Sequence, residues 1–207
     1  MTVENKKNSK TKEIVPAAKI DYQIIAFVSQ QEFESWQEKN HSLVNGLWIR
    51  IFKKDSGVAS ITYDEALDVA LCYGWIDGQL KKYDENSYIQ KFTPRRSKSM
   101  WSKRNVEKVA LLEKEGRIKP SGRKQIESAI ADGRYLSAYD SPGNMVIPED
   151  FIQQISKNKK AYDFFKTLDK TNLYSIGWKL QTAVSPASRH KRIIAIIEKL
   201  EKEEKFH

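Results

Sequence analysis

The chain has 207 residues, 40% of them hydrophobic and 30% charged, with a formal net charge of +9. This length closes one or two cores. No run approaches the ~18 uninterrupted apolar residues that cross a bilayer, and the lysine-rich first twenty residues hold no apolar stretch of a secretion signal, so a cytoplasmic protein without membrane insertion is expected. The lone cysteine, Cys72, rules out an intramolecular disulfide, and His41, His190 and His207 stand too far apart for metal-ligand spacing, so no metal and no cofactor is expected.

Residues 1–20 scatter Lys6, Lys7, Lys10, Lys12 and Lys19 among polar neighbours without apolar periodicity and read as a disordered basic tail. Tyr22 to Val28 (YQIIAFV) is β-branched and aromatic and predicts a strand. Ser29 followed by Glu32 is a capping pattern for a short helix with Phe33 and Trp36 on one face. Leu47 to Phe52 alternates Leu47, Ile49 and Ile51 against Trp48, Arg50 and Phe52, which predicts a strand buried mainly on one side. Thr62 with Glu65 caps a helix from Tyr63 to about Tyr73, whose buried stripe is Ala66, Leu67, Ala70 and Leu71 and whose stop is Gly74. Trp75-Ile76-Asp77-Gly78 reads as a tight loop with Trp75 in the core, and Ser87 to Thr93 as a strand that ends at Pro94. Ser102 caps a helix to Glu115, and Pro120 opens another that ends at Gly133.

The segment Tyr139 to Ile147 (YDSPGNMVI) is the expected boundary, and beyond it helices start at Pro148, near Lys159, after Thr171 and at Ser185-Pro186. The last presents Ile193, Ile194, Ile197 and Leu200 as its apolar face. Strands early and helices late define an α+β fold. It is a mixed domain over 21–139 with a small, largely antiparallel sheet of at least three strands burying Ile24, Leu47, Ile49 and Ile51, followed by a helical C-terminal subdomain over 147–207.

The run from Thr62 to Asn105 contains TYDEALDVALCYGWIDGQ, YIQKFTPRR and an S-x-W-S-x-x-N element. Together with EFESWQEKNH, GLWIRIFKK, IADGRYLSAYD and SPASRHKRI, it resembles the YdeI/OmpD-associated family, named for bacteriocin protection, over nearly the whole chain after the tail. Tyr135 stands where tryptophan is usual in that family, which keeps an aromatic in place. The resemblance implies a stress or protective role against bacteriocins or antimicrobial peptides and names no reaction.

The residues themselves point to charge. Between Gln79 and Lys124 fourteen Lys or Arg face five Asp or Glu, a local excess equal to the net charge of the entire chain. Pro94 to Asn105 (PRRSKSMWSKRN) holds Arg95, Arg96, Lys98, Lys103 and Arg104 without an acid. Such crowding is unfavourable unless an anionic ligand or acids from elsewhere, with Asp77, Asp84 and Glu85 as candidates, neutralise it. Arg95, Arg96 and Ser99 beside the unsatisfied amides of a helix capped by Ser102 would form an anion-binding start. Trp101 either stacks on an arginine or a base or packs under the loop. Asp77 either orients an arginine or ligand there or serves as a turn residue paired with Lys81 or an arginine.

The candidate ligand-binding set is therefore Asp77, Arg95, Arg96, Ser99, Trp101 and Ser102. An anionic small molecule or an acidic protein is the first partner class. Weak, sequence-independent nucleic-acid binding comes second, since the cations alternate with aromatics but no helix-turn-helix, zinc-finger or RNA-binding signature is present. An enzyme comes last, with Asp77 as its one candidate base and no nucleophile, P-loop or dinucleotide pattern.

Overall fold

The computed structural model describes residues 22–207, and the basic tail expected over 1–20 lies outside them. The elements in chain order are β1 (Ile24–Ala26), α1 (Gln30–Asn40), β2 (Leu47–Phe52), α2 (Tyr63–Cys72), β3 (Trp75–Lys82), β4 (Ser87–Pro94), α3 (Lys103–Lys114) and α4 (Pro120–Ala131), then α5 (Glu149–Ile155), α6 (Lys159–Phe165), α7 (Lys170–Gln181) and α8 (Pro186–Glu201). The fold is α+β, a mixed four-stranded sheet with helices followed by a helical half. No helix among the described residues is long and apolar enough to cross a membrane.

The sheet order is β1-β2-β4-β3, with β1 parallel to β2 and the other two pairings antiparallel. Two expectations about β1 are corrected. The strand is three residues long, because Phe27 already turns into the core at 3% exposure and the Val28 amide donates to the Glu32 carboxylate at the start of α1. Ile24 is 45% exposed, because the register sets Ile25 opposite the inward Ile49 and Ile24 opposite the outward Trp48. Strand faces alternate, so one residue of phase decides which isoleucine is buried.

The larger correction is β3. Asp77 and Gly78, which disfavour strands, lie inside one, where Asp77 pairs with Phe92. The register shifts between Asp77 and Leu80, and the side-chain amide of Gln90 donates to the carbonyls of Gly78 and Gln79 at 2.9 and 3.3 Å. A bulge that a neighbouring side chain satisfies lets the strand pass through residues that would otherwise break it.

Helix α2 has the expected capping box at Thr62 and Glu65, and its stripe of Ala66, Leu67, Ala70 and Leu71 is at most 1% exposed. The stripe lies in a hydrophobic cluster with Leu47, Ile49 and Phe92 on the inner sheet face. Helix α4 comes so close to the end of α2 that a Cβ on Gly122 would overlap the Cys72 carbonyl, so only glycine fits there. A second cluster joins Phe151, Ile155, Ala161, Ile176, Leu180, Ile196 and Leu200 of α5 to α8. In this half Asp169, not Thr171, caps α7 through the Asn172 amide. On α8 Ile196 is buried, whereas Ile194 is 44% exposed because it lies a helical step of 100° from Ile193.

Candidate functional site: a basic cleft at the end of strand β4

The segment after β4 is held at both ends by backbone bonds. The Arg95 amide donates to the Gly74 carbonyl at 3.0 Å, and a turn closes on itself through the Ser99 amide to the Arg96 carbonyl (2.9 Å) and the Arg96 amide to Ser99 Oγ (3.0 Å). At the far end Tyr139 bridges to Ser102, with its amide donating to the Trp101 carbonyl and its carbonyl accepting from the Lys103 amide. Ser102 Oγ accepts from the Asn105 amide at 3.2 Å. Two of the amides at the start of α3 that the sequence offered to an anion are therefore occupied by the protein.

The two adjacent arginines part company. Arg96 is exposed, whereas Arg95 is 6% exposed, with its guanidinium carbon 3.5 Å from the centroid of the Trp101 ring. Trp101 is itself 1% exposed and meets Tyr135 edge-on, so its ring serves Arg95 and not a ligand. Arg95 Nη1 donates to the Met100 carbonyl at 3.2 Å, but Nε and Nη2 are buried without a partner. Burial lowers the Arg95 pKa to about 10, against the opposing pull of Tyr139 and Asp77, so the group remains a cation at neutral pH. Each unmatched buried donor costs about 1–3 kcal/mol.

Beside this residue lies a cleft of about 520 Å³, bounded by the loop after α1 and by the end of β4. Lys91, Arg95 and Arg96 line it together with Tyr22, His41 and Asn45, and none of its lining residues is acidic. The Lys91 ammonium sits 3.6 Å from the centroid of the Tyr22 ring. The loop wall is fixed by the Trp75 indole, which donates to the His41 carbonyl at 2.8 Å, and by Gly46, whose φ of +69° and approach to the Phe92 carbonyl exclude any side chain. Three cations thus converge on a preformed concavity.

Two further cations of the segment, and Lys108 beyond it, are paired with acids. Arg104 pairs with Asp64 at 2.6 Å, Lys108 with Asp68 at 2.7 Å and Lys103 with Asp140 at 2.8 Å. The acids come from α2 and the 139–147 loop. Asp84 instead pairs with Arg50, and Glu85 with Lys82. Asp77 lies in β3, not in a turn, and accepts a hydrogen bond from the Tyr63 hydroxyl at 2.9 Å. Burial and the Asp77 carboxylate hold the Tyr63 phenol well above its ordinary range. The Asp77 carboxylate acts on Arg95 electrostatically but shares no hydrogen bond with it. Arg96 and Lys98 have no carboxylate within 4 Å among the described residues.

Sequence reasoning missed the opposite wall of the cleft: Tyr22, His41, Asn45 and Lys91. The one local signal was the outward position of Lys91 in an alternating strand, opposite Trp48. Arg134 was also missed. Its guanidinium is buried behind the same loop, where it donates to the Ser99 carbonyl at 2.8 Å, to Asp132 and to Ser128 Oγ.

Residues 25–125 match a domain of unknown function (DUF8412). Residues 144–203 match the family model described as Bacteriocin-protection, YdeI or OmpD-Associated. No curated protein and no solved structure matches the chain. Apart from Tyr22, the residues lining the basic cleft fall within the first match, as do the Thr62 to Asn105 motifs, so the family model covers a smaller part of the chain than those motifs imply. The helical half, over residues 144–203, is therefore similar to the YdeI/OmpD-associated family.

Proposed function

We propose that the protein is a binding protein for a small anion, a carboxylate or phosphate compound, which it holds in the cleft between the 41–46 loop and the end of β4. The observation that carries this reading is Arg95, a buried cation with two unpaired nitrogens beside a cleft lined by two further cations and no acid. Charge-assisted hydrogen bonds to an incoming oxyanion would repay the desolvation of such a group. The exposed Arg96 and the partly exposed Lys91 supply the charge that draws the anion in, and His41 and Asn45 offer hydrogen-bonding groups on the opposite wall. The stress or bacteriocin-protection role that the family name suggests would then be exercised by capture of this anion.

Isothermal titration with inorganic phosphate and with citrate tests the reading. Saturable binding of at least one of them is expected, with Arg95→Met and Arg96→Ala each losing about 1.5–3 kcal/mol of affinity, as for a charge-assisted hydrogen bond. Equal affinity in parent and variants would reduce the segment to a solvated basic loop.

A further inference from the structure

A second concave region lies in the helical half, remote in sequence from the Arg95 cleft and built from different residues. Two clefts of about 400 and 380 Å³ share Trp178, Lys179, Lys199 and Phe206, and each falls in the size range of a small-molecule site. Trp178 and Lys179 come from α7 and Lys199 from α8, while Phe206 folds back across both. That return is built in: the amides of Phe206 and His207 both donate to Asn172 Oδ1, at 2.7 and 3.2 Å, and Asn172 is 1% exposed.

The chemistry of the walls is consistent. Tyr174, one turn before Trp178, adds a third aromatic to the first cleft, and Arg192 adds a third cation to the second. The ammonium groups of Lys179 and Lys199 lie 5.8 and 4.9 Å from the centroid of the Phe206 ring. Neither lysine, nor Arg192, has a carboxylate within 4 Å among the described residues, and Arg192 Nη1 donates to the Lys179 carbonyl and to Thr182 Oγ1. No side chain lining either cleft is acidic. Partly exposed indole and phenyl faces beside unpaired cations suit a ligand that brings its own π-face and its own negative charge.

We propose that this groove between α7 and α8 binds a planar aromatic anion, with the ring against Trp178 and Phe206 and the anionic group at Lys179 and Lys199. The proposal does not rest on the reading of the Arg95 cleft. Isothermal titration of the full chain with AMP, adenosine, inorganic phosphate and indole-3-acetate tests it. AMP or indole-3-acetate should bind at least tenfold more tightly than adenosine or phosphate, and which of the two binds better identifies the anionic group as phosphate or carboxylate. Trp178→Leu and the Lys179→Ala/Lys199→Ala pair should each weaken that binding at least tenfold, with circular dichroism confirming the fold, and should do so equally in an Arg95→Met background, where the Arg95 cleft no longer takes the anion. Absence of binding by both aromatic anions overturns the proposal. So does undiminished affinity in the Lys179→Ala/Lys199→Ala protein, or a loss confined to Arg95→Met.

Discussion

Two arginines are buried to the same degree, 6% exposed, on either side of the loop that follows β4, yet their surroundings differ. Arg134 makes bonds to Asp132, to the Ser99 carbonyl and to Ser128 Oγ. Arg95 makes one, to the Met100 carbonyl, and otherwise rests on the Trp101 ring. Burial alone therefore does not separate a structural cation from a functional one. On the proposed reading the number of donors left without acceptors does, because a satisfied guanidinium fixes a loop and an unsatisfied one keeps free energy available for an incoming anion.

The largest effect on stability should come from Arg134→Ala. Asp132 is exposed, so that end of the pair adds little. Loss of the bonds to Ser99 and Ser128 should lower the free energy of unfolding by about 2–3 kcal/mol, read by urea denaturation. Arg95→Met should behave in the opposite sense. It removes an incompletely paired buried charge while roughly preserving volume, so the unfolding free energy should be unchanged or rise by up to about 2 kcal/mol, although phosphate or citrate affinity falls. A destabilisation equal to that of Arg134→Ala would erase the distinction.

Charge accounting around the loop sharpens the comparison. With Lys103 and Arg104 committed to Asp140 and Asp64 and Arg95 buried, the loop and cleft leave three cations, Lys91, Arg96 and Lys98, for an extended polyanion. Binding to duplex DNA should therefore show a log–log salt slope no steeper than about −3 and vanish at physiological salt. A steeper slope, measured by fluorescence anisotropy, would mean that the internal pairs open to admit nucleic acid.

A third arginine, Arg189, is a partly exposed case. It bonds Asp150 through Nε and Nη2 at 2.8 and 2.6 Å and ties the start of α5 to α8. The Arg189 hydrogen bond holds the Asp150 carboxyl below its ordinary range. A carboxylate with a depressed folded pKa contributes stability that is present above its unfolded pKa, about 3.9, and is lost as pH falls through the folded value. Because the pair is partly exposed, Asp150→Asn should cost under about 1 kcal/mol at neutral pH. That difference from the parent should shrink below about pH 4 in melts followed by circular dichroism.

Much of the fold was legible because it follows from local chemistry. Thr62 with Glu65, Ser102 and Ser185-Pro186 marked helix starts correctly, and the alternation over Leu47 to Phe52 gave β2 to the residue. Strand β3 was not legible, since the signal that rescues Asp77 and Gly78 is the amide of Gln90 on the next strand, a tertiary contact. The site divided in the same way. Composition located the excess of positive charge, but which cations are cancelled depends on Asp64, Asp68 and Asp140, brought from other elements by packing. The cleft wall at Tyr22, His41 and Asn45 is likewise a product of loop placement against β4.

The central claim is that the Arg95 guanidinium receives the anion. Nitrogen-15 correlation spectra of the arginine Nε–H groups during a phosphate titration test it most directly. The account predicts a saturable shift of the Arg95 Nε–H resonance, absent in Arg95→Met, with the Arg134 resonance unmoved. An Arg95 resonance that stays fixed while phosphate binds, or one that moves no more than that of Arg134, would contradict it.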